Sequence, residues 1–458
     1  MAPKFGTSGL RGLVTELTSD CVGGYISAFI ASCDIGTSLF IGHDLRVSSP
    51  DISKMVANAA AVQGVKVVTC GAVPTPALAL ASMNAGAAAV MITGSHIPSD
   101  RNGLKFYTPN GEITKADEQA IGAALGATPD GNAMADVEQN TLVADAYINR
   151  YAKAFSNNLY GKRIGLYAHS AVGRDLMADL LRTLGAEVVI FGKSDVFIPV
   201  DTEAVSPDIK QQLKKWAASS QIDAIISTDA DGDRPLVTDE TGQIIVGDIL
   251  GQITAKAMGA ETVVTPISSN TGVEKGGQFS KVIRTKIGSP FVIAGMSEAT
   301  DKVVGYEANG GFLLGYDAES PTGTLPKLLT RDALLPILAC LTGAGRNKIS
   351  DRVACEPARF TAADRLQDVE SSTSAALVKK LNEDAAERAT FLRPFNATEA
   401  GINTADGLRI TLSNDRIVHL RPSGNAPELR LYIEAESSDI AQSELEKGLA
   451  VLKGIFES

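Results

Sequence analysis

What the chain has little of narrows its class first. Its five cysteines (Cys21, Cys33, Cys70, Cys340 and Cys355) are scattered, odd in number and in no metal-ligand spacing. That pattern reads as reduced thiols in a cytoplasmic protein rather than a disulfide framework or a zinc site. No apolar run approaches membrane-spanning length, and the opening Met1-Ala2-Pro3-Lys4 lacks a signal-peptide core. Basic charge is in deficit: 42 Lys and Arg against 53 Asp and Glu leave a formal net charge of −11. Such a balance argues against nucleic acid or an anionic membrane as partner. An anionic small molecule would need a locally basic pocket, which Arg11, Lys105, Arg421 and Arg430 can supply. The remainder is ordinary for a globular protein, 44% hydrophobic and 21% charged, and 458 residues suffice for three or four domains.

Helix and strand signals alternate to about residue 350, the pattern of α/β layers. Residues 21–32 read as a helix before a strand at 39–42, and a strand at 163–167 precedes a helical stretch at 173–184. The polar segment 127–139 reads as a linker or loop. Domain limits fall at 1–142, 143–247, 248–352 and 353–458. The last differs in kind, with a helix over 371–386, short strands and a terminal helix over 437–456.

Four loops stand out chemically. The small and branched apolar run 87–92 is stopped by Gly94 and Pro98, which sets Thr93-Gly94-Ser95-His96-Ile97-Pro98 on a tight loop at a strand end, with Asn102-Gly103-Leu104-Lys105 beyond. A serine there can carry a phosphoryl group while an imidazole and an ammonium handle protons and negative charge; otherwise the pair caps backbone groups of a turn. A second segment, 222–228, reads as another buried strand and leads directly into Asp229-Ala230-Asp231-Gly232-Asp233-Arg234. Three carboxylates at alternate positions converge on one cation if the loop curls, as Gly232 permits, and hard oxygen ligands suit Mg²⁺. An acidic surface turn or a calcium loop are the alternatives, the latter disfavoured because no glutamate occupies the final EF-hand ligand spacing. Without a cation, such crowding after a buried strand is repulsive.

The third loop, Arg421-Pro422-Ser423-Gly424-Asn425-Ala426-Pro427 with Glu428 and Arg430 beyond, holds the inventory of a phosphate cradle. It reads equally as a Pro/Gly turn between strands at 416–421 and 428–434. The fourth, Gly305-Tyr306-Glu307-Ala308-Asn309-Gly310-Gly311, follows Val303 and Val304. Glu307 and Asn309 alternate, so both can hydrogen-bond vicinal sugar hydroxyls, or both lie solvated on a flexible loop.

Taken together and in this order, with the opening Phe5-Gly6-Thr7-Ser8-Gly9-Leu10-Arg11-Gly12, these loops resemble the α-D-phosphohexomutase superfamily. The resemblance runs to about Glu434 and is strongest to the bacterial phosphomannomutases and phosphomannomutase/phosphoglucomutases. It implies three related α/β domains plus a smaller α+β C-terminal domain around a central cleft. It implies an isomerase that interconverts hexose 6-phosphate and hexose 1-phosphate, mannose phosphates first, through a phosphoserine at Ser95. Hexose 1,6-bisphosphate would serve as intermediate and activator. One Mg²⁺ per chain is expected at Ser95, Asp229, Asp231 and Asp233. Arg421, Ser423 and Asn425 would hold the distal phosphate with Arg430 supporting their loop, and Glu307 and Asn309 would contact the sugar 3- and 4-hydroxyls. Lys105, His96 and Arg11 match positions near the reacting oxygens, Arg11 as a charge stabiliser because a guanidinium is a poor base. Arg234 would pair with an acceptor oxygen or order its loop.

Two positions depart from the family pattern. Asn309-Gly310-Gly311 stands where many relatives have Ser-Gly-His, and Ile97 stands where Ser-His-Asn-Pro has an amide. A phosphoglucomutase or a dual-specificity mutase is the neighbouring reading, and a phosphoglucosamine mutase a more distant one. Outside the enzyme class, a non-catalytic phosphosugar-binding protein would suit the missing imidazole. A metal-dependent phosphatase would need water as acceptor. Oligomeric state is left open.

Overall fold

The structure is a computed structural model that describes residues 3–6, 9–126, 136–423 and 427–457. It is mixed α/β and divides into two compact units, residues 1–264 with 288–355, and residues 265–287 with 356–458. Among the described residues no helix is long and apolar enough to cross a membrane.

Among the described residues, the three larger sheets of the first unit are built on one plan, beside a two-stranded sheet of Ala318–Ser320 and Gly323–Leu325. In each of the three, parallel strands are followed by an antiparallel hairpin whose turn carries a chemical motif. Ala88–Ile92 runs parallel to Leu39–His43 and then pairs antiparallel with Arg101–Thr108, so residues 93–100 form the connecting loop. Ala224–Thr228 runs parallel to Arg163–Tyr167 and pairs antiparallel with Pro235–Thr238 around residues 229–234. Thr262–Pro266 runs parallel to Val303–Tyr306, which pairs antiparallel with Phe312–Leu314 around residues 307–311. All five residues of Ala88–Ile92 and of Ala224–Thr228 are buried. Strands covered on both faces need continuous apolar runs rather than alternation, which is why these segments are so uniformly small and branched.

The helix Ser19–Ser32 supplies Val22, Ile26 and Phe29, and Ser49–Val62 supplies Val56 and Ala60. These pack with Ile41, Val90, Ile92, Leu104 and Phe106 in one cluster. Each such aliphatic or aromatic side chain contributes roughly 1.5–3 kcal/mol when buried, so the strand ends that present the loops are anchored. Val137–Gln139, expected as part of a linker, is instead an exposed strand parallel to Val67–Ala72. At a sheet edge it needs no apolar face, so its polar composition concealed it. The rest of that expected linker, residues 127–135, lies outside the described residues.

The second unit has a five-stranded antiparallel sheet in the order Phe360–Gln367, Glu428–Ala435, Ile417–Pro422, Leu408–Leu412, Glu399–Asn403. Leu408, Ile410, Leu420, Leu429 and Leu431 pack with Val378, Phe391 and Leu445 from its helices. The helix expected over 371–386 is two helices, Ser371–Glu383 and Ala385–Leu392. Asp384 leaves helical geometry (φ −117°, ψ 108°), and its carboxylate accepts from the N–H groups of Ala386 at 2.8 Å and Glu387 at 3.2 Å. An N-cap in mid-run starts a new helix.

Candidate active site

The serine loop is held from below by its own strand and from the side by a cation. Ser95 is 1% exposed and adopts φ 52°, a left-handed conformation uncommon for a residue with a Cβ. Its N–H donates to Thr93 Oγ1 at 2.8 Å, and its Oγ donates to Asp229 Oδ2 at 2.6 Å. Arg46 fixes the rest. Its guanidinium donates to the carbonyls of Ser95 (2.9 Å), Ile97 (2.6 Å), Pro98 (2.7 Å) and Arg101 (2.9 Å), and to Asp44 Oδ2 at 3.2 Å. Asp44 in turn accepts from Thr93 Oγ1 (2.7 Å) and Ser49 Oγ (2.6 Å).

The second loop brings three carboxylates together. Ligand oxygens of Asp229, Asp231 and Asp233 lie within 4.8 Å of one another, and all three residues are fully buried. Gly232 makes the curl at φ 76°, where a Cβ is penalised. Asp231 Oδ2 accepts from Thr75 Oγ1 at 2.5 Å and Lys105 Nζ at 2.6 Å, and Asp233 Oδ2 accepts from Lys105 Nζ at 2.5 Å. Asp231 Oδ1 and Asp233 Oδ1 are buried and lack any hydrogen-bond partner. Burial, then the like charges of Asp231 and Asp233, push the Asp229 carboxyl well above the ordinary carboxylate range. Unpartnered carboxylate oxygens and mutual repulsion are what a divalent cation would relieve, so the donor set fits an oxygen-preferring metal.

Around the carboxylates stands a ring of positive charge. Although burial works against it, Asp231 and Asp233 hold the Lys105 ammonium above its ordinary value. Burial, then Arg234 and Arg331, lower Arg11 to about 10, so it too remains charged at neutral pH. Arg11 lies opposite Gly103 across the strand pair, two residues from Lys105 and so on the same face. His96 behaves differently: burial and the Arg234 charge push it down to about 4. It is therefore neutral at pH 7, with Nδ1 accepting from Arg234 Nη1 at 3.0 Å and lying 3.3 Å from Ser95 Oγ. Its Nε2 lies 3.9 Å from Asp201 Oδ2.

The third loop meets the second. Glu307 is buried and pairs with Arg331 Nη1 at 3.5 Å, while Arg331 Nη2 lies 2.9 Å from Asp233 Oδ2. Asn309 Oδ1 accepts from the Gly311 N–H at 3.0 Å, closing the turn and leaving the amide nitrogen to offer a ligand. Ser95, His96, Lys105, Arg11, the three aspartates, Arg234, Glu307 and Asn309 all belong to the first unit.

In the second unit, Arg421 and Arg430 are directly opposite on neighbouring strands. Arg421 Nε donates to Asp406 Oδ2 at 3.0 Å, and Arg430 donates twice to Glu428 Oε1 at 2.9 and 2.8 Å. Ser423 is buried and its N–H donates to the Glu428 carbonyl at 3.0 Å. Asn425 lies outside the described residues.

Known proteins resemble this chain along most of its length. Sequence profiles of phosphoglucomutase/phosphomannomutase match in three places: alpha/beta/alpha domain I over residues 2–129, alpha/beta/alpha domain III over 238–360, and the C-terminal domain over 361–448. A phosphomannomutase of Sinorhizobium fredii is 45% identical, covering 99% of both chains. The chain belongs to the phosphoglucomutase/phosphomannomutase family. A phosphomannomutase of Salmonella muenchen is 44% identical over 98% of this chain and 95% of its own. A solved structure of a phosphoglucomutase/phosphomannomutase family protein from Burkholderia thailandensis superposes with TM-score 0.78, covering 98% of this chain and 97% of that one at 21% identity. That likeness shows the same fold.

Among the residues of this family member's site that carry no mark in the motifs are Asp44, Arg46, Thr75 and Arg331. A signal was present for two of them, since Asp44 and Arg46 are opposite charges just after the buried strand Leu39–His43. Arg46→Ala is expected to lower stability by roughly 3–5 kcal/mol, because it leaves Asp44 and four loop carbonyls without their cation. Denaturant unfolding monitored by circular dichroism checks this; a loss under about 1 kcal/mol, the scale of an exposed ion pair, would show the loop holds itself.

Proposed function

We propose that this chain is a phosphomannomutase-type hexose phosphate mutase that interconverts mannose 6-phosphate and mannose 1-phosphate through a phosphoserine at Ser95. The observation that carries this reading is the 2.6 Å contact between Ser95 Oγ and Asp229 within a buried, cation-ready carboxylate cluster. A binder has no use for a hydroxyl there, and a phosphatase has none for a separate hydroxyl-recognising loop. Relatives at 45% and 44% identity bearing the name phosphomannomutase support mannose over glucose.

In the forward step the phosphorus–Oγ bond at Ser95 breaks as a sugar hydroxyl oxygen forms the new phosphorus–oxygen bond. The product, a hexose 1,6-bisphosphate, returns its other phosphate to Ser95. Asp229, Asp231 and Asp233, with Ser95, would hold one Mg²⁺, which when bound neutralises charge on the transferring group. Lys105, Arg11 and Arg234 supply fixed positive charge for the oxygens of that group, the kind of preorganised stabilisation worth most in a dry site. The proton lost by the attacking sugar hydroxyl ends on the departing Ser95 Oγ, and neutral His96, with Nδ1 3.3 Å from that oxygen, is placed to relay it. Glu307 and Asn309 recognise sugar hydroxyls that remain accessible in both orientations of the substrate. Arg421, Ser423 and Asn425 take the non-reacting phosphate, with Arg430 holding their strand. The division 1–142, 143–247, 248–352 and 353–458 belongs to this reading, each domain contributing one hairpin loop, as does a cytoplasmic setting.

Comparing turnover on mannose 1-phosphate, glucose 1-phosphate and glucosamine 1-phosphate tests the assignment. The highest kcat/KM is expected for mannose 1-phosphate; release of inorganic phosphate instead of isomerisation would overturn it. Arg421→Ala is expected to raise KM roughly tenfold or more, the scale of a charge-assisted hydrogen bond of about 1.5–3 kcal/mol, and to release more bisphosphate. Steady-state kinetics with product analysis checks both, and an unchanged KM would reduce the segment to a strand-connecting turn.

A further inference from the structure

Arg331 sits at the end of the strand Leu328–Asp332, with no motif to mark it. It is 2% exposed, yet three carboxylates surround it: Asp233 Oδ2 at 2.9 Å, Glu307 Oε2 at 3.5 Å and Glu112 Oε1 at 3.6 Å. Burying a guanidinium is costly unless it is paired, so its position is set by these acids together. Two of them belong to different chemical loops. Asp233 is in the carboxylate cluster, and Glu307 is in the glycine-rich hairpin.

The backbone adds to the linkage. A Cβ at Gly311 would lie 3.0 Å from Arg331 Cδ, 3.1 Å from its Cγ and 3.1 Å from the Asp233 carbonyl oxygen. The hairpin turn thus rests on the Arg331 stem and on the metal-loop backbone, leaving no slack for a side chain. Asp233 Oδ1, 3.8 Å from Arg234 Nε, and Glu307 Oε2, the atom that faces Arg331 Nη1, are buried without a hydrogen-bond partner. Each carboxylate keeps acceptor capacity while sharing one cation.

We propose that Arg331 is a positioning residue that couples the two loops, so that divalent-cation binding at the aspartate cluster and sugar binding at Glu307 strengthen each other. A cation at Asp233 competes with Arg331 for that carboxylate's charge. The guanidinium is then drawn more fully to Glu307, whose carboxylate is fixed for a hydroxyl donor. Linkage requires the reverse effect to be equal. This inference rests on the mutase reading of the aspartates and of Glu307.

The test is calorimetric titration of Mg²⁺ into the full-length, dephosphorylated protein, with and without saturating mannose 1-phosphate. In the wild type, the sugar phosphate is expected to tighten Mg²⁺ binding about fivefold or more, the lower edge of ordinary coupling between sites. In Arg331→Met the two ligands should still bind singly, but the coupling should fall below about twofold. Arg331→Lys, which keeps the charge but not the fork that spans both acids, should restore it only in part. If Arg331→Met does not fold, as judged by its melting transition, Arg331→Lys carries the test. Wild-type coupling in whichever of these variants folds overturns the proposal, and so does binding of both ligands to the wild type without coupling. Failure of the wild type to bind Mg²⁺ or mannose 1-phosphate at all would instead overturn the mutase reading beneath it.

Discussion

Ser95→Ala should reduce mutase turnover by at least about 10³-fold while leaving the fold intact. Loss of a covalent carrier removes the whole transfer route, and effects of that kind reach several orders of magnitude. The structural cost is small by comparison. The hydroxyl makes one hydrogen bond to Asp229 and a longer contact to His96, and a bond of this kind contributes on the order of 1 kcal/mol. The loop itself is held by Arg46 through backbone carbonyls, which an alanine retains. Steady-state assays on mannose 1-phosphate with contaminating mutase excluded check the rate, and thermal melting checks the fold. Near-wild-type turnover would move the phosphoryl carrier elsewhere.

Asp231→Asn and Asp233→Asn are expected to lower kcat by about 10²–10³-fold, the effect of removing one preorganised electrostatic contact from a buried site. Stability should fall as well. In a chelator, either variant should melt below the wild type, because Asp231 and Asp233 pair with the buried Lys105 ammonium and Asp233 also pairs with Arg331. With Mg²⁺ the wild type should gain stability as ligand binding requires, and the variants should gain less. The pH dependence has a definite sign. Asp229 is held above its ordinary value by burial and by its two neighbours, so the folded protein binds a proton that the unfolded chain has already released. The Asp229 contribution to stability without metal is therefore fully present below the unfolded-chain value and is lost as pH rises through the folded-state value. Added Mg²⁺ should remove that loss. Full activity after exhaustive chelation would contradict the metal assignment.

The parts of this site that were legible in the sequence are those where local chemistry and backbone stops coincide. Ser95 and the three aspartates follow fully buried strands that end abruptly, and Gly232 supplies the backbone freedom their curl uses. Arg331 was hidden for the opposite reason. Thr330-Arg331-Asp332 reads as a polar strand end, and its meaning comes from Asp233 and Glu307, far away in sequence. Thr75 is likewise defined only by its bond to Asp231. In the fold, the apolar strands were read nearly to the residue, whereas the split at Asp384 and the strand Val137–Gln139 were not. The first is decided by a side-chain cap within a helix-favouring run, and the second by a neighbouring edge rather than by its own pattern.

The phosphoryl-carrier claim is tested most directly by mass spectrometry of the purified protein before and after incubation with hexose 1,6-bisphosphate, and again after mannose 1-phosphate is added, with peptide mapping at each stage. The expected result is a gain of one phosphoryl group on the peptide containing Ser95, its discharge on adding the monophosphate, and no gain in Ser95→Ala. A protein that turns over mannose 1-phosphate while its Ser95 peptide never carries phosphate would contradict the assignment.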